Sequence, residues 1–415
     1  MQADRQQYRR MLSEDFPERM ELTLAGETGR QTLFFEKMVW TIDGETKGLR
    51  YGENPDQPAA LYKLVNGNIR LGEVETIEPG RYLASEVELL QSGKHPGKTN
   101  ITDVDNALNI LRYFDAHPAA IIVKHNNPCG AALGMSLEEA YRKALMADRI
   151  AAFGGAVVVN RPLDRATAGA ICESYCEVVA APEFEEGVMQ LLAAKKNLRV
   201  MRIGNIGRLQ RYVGRRVLDF KSLMDGGMVV QWSFVPKPLV PADLRPAETE
   251  YRGTRYTVKR VPTESEIEDM IFGWYLEAGI TSNSVIYVKD RVSVGIGTGE
   301  QDRVGVAEIA RDKAYRKLED RIAWKRHATP FALLENEELR DAVQKEVRER
   351  KGGLVGSVMV SDAFFPFRDG AEVGLREGIR AIIQPGGSLR DFETVEAVNQ
   401  YGATMVYTGQ RSFKH

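Results

Sequence analysis

The second half of this 415-residue chain echoes the first. Glu139-Ala-Tyr-Arg-Lys143 resembles Lys313-Ala-Tyr-Arg-Lys317, and each precedes an Ala-Phe at the end of an apolar run, Ala152-Phe153 and Ala363-Phe364. Each series then carries a helical segment, an apolar strand and a proline, at Pro182 and Pro385. A series matched in order points to a duplicated α/β unit, because each copy must bury the same pattern of faces. Tyr141 lies 12 residues before Phe153, whereas Tyr315 lies 49 before Phe364. The second copy therefore carries an insertion of about 37 residues, matching the charged, helical stretch 319–355.

The rest of the chain fits that frame. Residues 1–48 hold short alternating segments at 22–24 and 33–35, which read as leading into the first sheet. Residues 89–94 read as a helix end, and 103–114 as a helix with an early acidic pair. Ile121-Ile122-Val123 reads as the end of a buried strand, with Pro128-Cys129-Gly130 turning the chain after it. Ser136 and Glu139 form a capping box that opens a helix through Met146. A strand at 154–159, a helix at 165–176 and a strand at 177–181 follow. Strands alternating with helices predict βαβ units and a largely parallel sheet. Pro236, Pro238, Pro241, Pro246 and Pro262 mark an irregular junction. It separates a first domain, 1–215, from a second, 216–415, whose insertion at about 319–355 is able to pack on the first. The second domain reads as a helix at 264–276 and strands at 285–288 and 292–296.

Hydrophobic residues make up 43% of the chain and charged residues 27%, enough for a large core. A net charge of −2 argues against a general nucleic-acid binder. Three cysteines, Cys129, Cys172 and Cys176, are too few for a disulfide scaffold and suit a reducing cytoplasm. Cys172 and Cys176 read as small core residues, since no matching ligand cluster accompanies them. The polar N-terminus has no apolar signal core, and no run approaches the roughly 20 apolar residues of a membrane span.

Several stretches are dense in groups that do chemistry. Lys124-His125-Asn126-Asn127 follows the buried run directly. It sets a fixed cation beside a group that titrates near neutral pH, at a strand end, where α/β proteins place reactive side chains. Arg50 and Tyr51, before Gly-Glu-Asn-Pro, suit a phosphate or a carboxylate. The run Gly295-Ile-Gly-Thr-Gly299 through Arg303 misplaces the third glycine of a dinucleotide fingerprint, yet a glycine-lined turn at a helix start can hold an anion. Ser361 to Gly370 sets three phenylalanines beside Asp362, Arg368 and Asp369, a wall suited to a flat heterocycle. The bland alternative makes the rings core and Arg368–Asp369 a surface pair. A terminal histidine, His415, carries no weight by itself.

These blocks carry a resemblance. Arg50-Tyr-Gly-Glu-Asn-Pro, Ser92-Gly-Lys94, Lys124 to Gly130, Ala152-Phe-Gly-Gly155, Glu177 to Pro182, Ser282-Asn-Ser284, Gly295 to Gly299, Asp312-Lys-Ala314, Ser361 to Asp369, Gln384 to Ser388 and Arg411-x-Phe-x-His415 stand in the order of one family. The chain resembles the formyltransferase portion of the bifunctional purine-biosynthesis proteins, that is, phosphoribosylaminoimidazolecarboxamide (AICAR) formyltransferase. The resemblance implies an α/β fold of duplicated cytidine-deaminase-like three-layer units, with an inserted helical segment in the second copy. It implies transfer of a formyl group from 10-formyltetrahydrofolate, a cosubstrate, to the 5-amino group of AICAR, with no metal required. Two departures stand out: Asp56 replaces the usual His after Asn-Pro, and the family's N-terminal cyclohydrolase domain is missing.

The weak amine nucleophile needs a base, and His125, with an ordinary pKa of about 6.5, fits. Lys124 would stabilise the oxyanion, and Asn283 would donate a hydrogen bond. By resemblance, Arg50, Tyr51, His125, Phe153, Gly154, Glu177, Asn283, Arg303 and Arg411 bind AICAR. Val304, Phe364, Asp369, Ser388 and Leu389 face the folate. The family also implies a cytoplasmic homodimer with sites across the interface. It implies a separate cyclohydrolase partner, since only 48 residues precede the first block and no ring closure to inosine monophosphate is expected. Neither a nucleic acid nor a membrane is expected as a partner. Two other classes remain open: a catalytically silent purine-nucleotide-binding protein, and a deaminase-like hydrolase. The latter lacks the H-x-E and P-C-x-x-C ligands that a zinc deaminase needs.

Overall fold

A computed structural model describes residues 11–27, 29–75, 81–237 and 240–415. Pro238 of the proline-rich junction lies outside them. The chain forms two compact units. One comprises the chain up to Asn126, Ser136–Glu138 and Phe153–Val235; the other comprises Asn127–Met135, Glu139–Ala152 and Pro236–His415.

In the first unit, strands Ala119–Lys124, Ala156–Val159, Val178–Ala181, Arg199–Arg202 and Glu88–Gln91 lie side by side in that order. The first pairing is antiparallel, the next two are parallel, and the last is antiparallel. Ala119–Val123 and all of Ala156–Val159 and Val178–Ala181 are buried. Such continuous apolar runs belong to strands covered on both faces. Glu88–Gln91 corrects the expected helix end at 89–94. Its short run pairs with Arg199–Arg202, and that pairing outweighs local propensity. The helix expected at 103–114 spans Lys98–Leu111, and Asn100 Oδ1 accepts the Gly97 N–H (3.0 Å) at its start. The segments expected to lead into the first sheet form a separate one, Arg19–Gly26, Gly29–Lys37 and Tyr62–Gly67, over a small core of Leu33, Ile69 and Val74.

In the second unit, the strand order is Arg245–Pro246, Thr404–Tyr407, Ala381–Gln384, Val358–Ser361, Val285–Lys289, Val292–Gly297, Asn127–Leu133. Helices Glu264–Glu277, Arg303–His327, Arg368–Leu375 and Asp391–Gln400 accompany it. The expected 319–355 insertion contains the end of Arg303–His327 and helix Glu337–Glu349, which share a core of Leu318, Ile322, Val343 and Val347.

One order of elements recurs. Helix, strand, strand, helix, strand, helix, strand, helix and strand run from Lys98 to Arg202 and again from Glu264 to Tyr407, with one extra α-helix in each series, Arg149–Ala152 in the first and Glu337–Glu349 in the second. The pairing sense recurs too. Val285–Lys289 is antiparallel to Val358–Ser361, which is parallel to Ala381–Gln384, itself parallel to Thr404–Tyr407.

The glycines of both series serve close packing. Pro128-Cys129-Gly130 does not turn the chain but lies within strand Asn127–Leu133, where a Cβ on Gly130 would stand 2.0 Å from the Ala144 carbonyl oxygen. Gly295 and Gly297 likewise lie in a strand, and a Cβ on Gly297 would meet the Val306 carbonyl oxygen at 2.2 Å. They seat helix Arg303–His327 against the strand and do not line an anion turn. No helix among the described residues is long and apolar enough to cross a membrane.

Candidate functional site

The turn after strand Ala119–Lys124 is made by His125 and Asn126, with φ of 54° and 59°. Two consecutive left-handed residues are what a tight type I′ reversal requires, and Asn tolerates that region well. Helix Lys98–Leu111 pins this turn. Asp103 Oδ1 accepts the Asn126 N–H (2.6 Å), and Asn106 Nδ2 donates to the Asn126 carbonyl (2.9 Å). Burial pushes the Asp103 carboxyl up, while the turn's N–H groups and the charge of His125 pull it back. His125 itself is exposed.

Lys124 Nζ donates to the Phe153 carbonyl (2.8 Å). Phe153 stands 62% exposed, with its ring 4.9 Å from that of Tyr175. Gly154, at φ +76°, donates its N–H to the Tyr175 carbonyl (3.0 Å). Two residues on, Glu177 immediately precedes strand Val178–Ala181 and accepts from Asn100 Nδ2 (3.2 Å). Arg50 is buried, its guanidinium 4.5 Å above the Tyr51 ring, and Nη2 donates to the Tyr51 hydroxyl (2.9 Å). The first unit thus links Lys124, Phe153, Gly154 and Glu177 along one set of strand ends.

Asn283 and Arg303 belong to a second cluster, in the second unit. Arg303 opens helix Arg303–His327 and is buried. Its Nη1 donates to the Ser284 carbonyl (3.0 Å), to Ser361 Oγ (3.1 Å) and to Asp362 Oδ1. Its Nη2 donates to Asn283 Oδ1 (2.9 Å), while Asn283 Nδ2 donates to the Gln301 carbonyl (2.9 Å). Asp362 Oδ2 accepts from Ser282 Oγ (2.5 Å) and from the Ser284 N–H (3.1 Å). Glu277, fully buried, accepts from Ser284 Oγ (2.7 Å). Burial first, and repulsion from Asp362 second, push its carboxyl well above the usual range.

The residues expected to face folate lie in loops after strands Val358–Ser361 and Ala381–Gln384 and at the starts of helices Arg303–His327 and Arg368–Leu375. Phe364 and Phe367 are 40% and 51% exposed, but Phe365 is core, so the wall has two rings, not three. Asp369 is exposed, and Arg368 pairs with Glu372 (2.6 Å) instead of with Asp369. Leu389 is 92% exposed, and Ser388 takes part in a turn whose N–H groups Asp391 accepts. Val304 is half-buried beside Arg303. Arg411 is exposed, its guanidinium 4.2 Å over the Phe413 ring. The C-terminal segment is tied down: the Ser412 N–H donates to the Asp362 carbonyl (2.9 Å), and the Ser282 N–H to the Lys414 carbonyl (2.9 Å).

Two residues with a place in these clusters escaped the sequence reading. Asp103 is one; its helical position signals nothing, because the turn it holds is 22 residues away. Arg199 is the other. It lies in a buried strand 3.6 Å from Glu177, and an arginine between the apolar residues Leu198 and Val200-Met201 was its only signal. Among the described residues, no group of three or more His, Cys, Asp or Glu is placed to hold a metal.

The family model "AICARFT/IMPCHase bienzyme" matches residues 6–313. Among curated proteins, the chain is similar to the bifunctional purine biosynthesis protein PurH of Caldicellulosiruptor saccharolyticus, at 35% identity over 90% of this chain and 60% of that protein. It is similar to PurH of Chlorobaculum parvum, at 38% identity over 89% of this chain and 59% of that protein. It is also similar to PurH of Persephonella marina, at 34% identity over 94% of this chain and 67% of that protein. The chain spans about 60% of the length of the first two. With the match running through Arg50, Lys124, His125, Glu177, Asn283 and Arg303, the chain belongs to the AICARFT/IMPCHase bienzyme family.

Proposed function

We propose that this protein acts in purine biosynthesis as an AICAR formyltransferase. The observation that carries the reading is the His125–Asn126 turn. It presents an exposed imidazole beside Lys124 at the end of a buried strand, with Asp103 holding its backbone. In the reaction, the 5-amino nitrogen of AICAR bonds to the formyl carbon of 10-formyltetrahydrofolate, and His125 takes the proton that the amine loses. Lys124 has donors left after its bond to Phe153, and these stabilise the tetrahedral oxyanion. The carbon–N10 bond then breaks and the folate nitrogen regains a proton, leaving tetrahydrofolate and formyl-AICAR.

Asn283, oriented by Arg303, offers its second amide hydrogen. Arg50, Tyr51, Phe153, Gly154, Glu177 and Arg411 bind AICAR, and the exposed Phe364 and Leu389, with Val304, Asp369 and Ser388, meet the pteridine and its tail. We read the recurring element order as two cytidine-deaminase-like units, and the working form as a homodimer whose sites draw on both chains. Mixing Lys124→Ala chains with Arg411→Ala chains should then restore part of the activity. The direct test supplies the purified chain with AICAR and 10-formyltetrahydrofolate and follows tetrahydrofolate release. Saturable release supports the reading; tight AICAR binding without release would leave a nucleotide-binding protein.

A further inference from the structure

We propose that Asp391 is a positioning residue for the cosubstrate: it holds the glycine turn Pro385-Gly386-Gly387-Ser388-Leu389 beside the aromatic wall, so that Ser388 and Leu389 meet the pteridine in a fixed place. An aspartate in the first turn of a helix signals little by itself, since the helix dipole favours acids there. Here the carboxylate serves the segment before the helix. Asp391 opens helix Asp391–Gln400 and is 3% exposed. Its Oδ2 reaches back to the turn and accepts both the Gly387 N–H (2.8 Å) and the Ser388 N–H (3.1 Å).

The turn needs such a tether. Gly386 and Gly387 stand at φ of 73° and 101°, and glycines lose more conformational freedom on ordering than any other residue. The start of the turn is fixed by the neighbouring strand. The Gln384 carbonyl accepts the Thr408 N–H (3.0 Å), and the Pro385 carbonyl accepts the Gly409 N–H (3.1 Å). A Cβ on Gly386 would stand 2.8 Å from Tyr407 Cγ, so the first glycine is seated on that ring. The middle of the turn is held by Asp391. Its far side borders the wall: Ser388 Oγ donates to the Pro366 carbonyl (3.5 Å), and the Arg390 guanidinium lies 5.1 Å over the exposed Phe367 ring. Burial pushes the Asp391 carboxyl up, while the two N–H groups pull it back. Burying an acid is costly, and its charge-assisted bonds to the turn offset that cost.

The inference rests on the proposed function in naming the folate, and its test separates the two. Binding of 10-formyltetrahydrofolate, without AICAR so that nothing is transferred, and of AICAR alone is measured by calorimetry on the full chain. Asp391→Ala should weaken the folate about 10-fold, the scale of a lost charge-assisted hydrogen bond, and leave AICAR within about threefold. Asp391→Asn, whose amide oxygen can accept the same two N–H groups, should keep folate binding within about threefold of the parent. Leu389→Ala should weaken the folate in the parent but add little in the Asp391→Ala chain, because a displaced leucine has no contact left to lose. A merely structural aspartate would give additive losses. Folate binding within about threefold of the parent in any folded Asp391→Ala or Asp391→Ser chain, equal losses for folate and AICAR, or additivity with Leu389→Ala would overturn the proposal. A parent chain that binds no folate would refute the function. Faster amide hydrogen exchange at Gly387 and Ser388 in Asp391→Ala would then still support the tether, and unchanged exchange would overturn it.

Discussion

Two buried arginines, one in each unit, are held in opposite ways. Arg303 makes four hydrogen bonds to Ser284, Ser361, Asp362 and Asn283. Arg199 has a buried, unpartnered Nε and one distant carboxylate. A saturated guanidinium sets the shape of its surroundings, and here it fixes the face that Asn283 presents. An unsaturated one leaves a buried charge poorly compensated, which costs stability. The cluster of the second unit is thus saturated with hydrogen bonds, while that of the first keeps a poorly compensated charge.

The contrast can be broken most forcefully at Arg303. Arg303→Met should cost about 3–5 kcal/mol of stability, because it strands the fully buried Asp362 carboxylate. Urea unfolding would measure it, and a loss no greater than that of Arg199→Met would erase the distinction. A smaller effect is expected at the glycines. Gly130→Ala and Gly297→Ala should each destabilise by about 1–3 kcal/mol, since a Cβ would press on a helix carbonyl in both series. Near-neutral melting of either would show that strand and helix are not held so close.

The smallest effect concerns Glu277. Its pKa in the folded chain lies above the unfolded value, so folding retains a proton that the unfolded chain gives up. Its contribution is complete below about pH 4.5 and declines as pH rises toward the folded value, by at most about 1.4 kcal/mol per pH unit. Glu277→Gln should flatten that part of the stability profile from pH 5 to 8. An unchanged slope would mean Glu277 is ionised beside Asp362.

The long apolar runs were legible in the sequence. Ala119–Lys124, Val178–Ala181 and Ala381–Gln384 are buried almost throughout, and their composition says so. The Lys124-His125 stretch was legible as a cluster of ionisable side chains at a strand end, but its turn geometry was not. Pro128-Cys129-Gly130 carries turn residues, yet the reversal falls at His125-Asn126, and Gly130 is demanded by a helix carbonyl that no local rule foresees. Residues 89–94 were misread because four residues contain too little periodicity to separate a strand from a helix end. Arg199 and Asp103 were missed because their partners, Glu177 with Arg50 and the His125-Asn126 turn, are distant in sequence.

The claim that the first unit does the chemistry through His125 is tested most directly by His125→Ala. Its kcat for formyl transfer and its Kd for AICAR should be measured on the same preparation. The account predicts a fall in kcat of about 10²-fold or more, the scale of a lost general base, with a far smaller change in Kd. A kcat near that of the parent chain would contradict it.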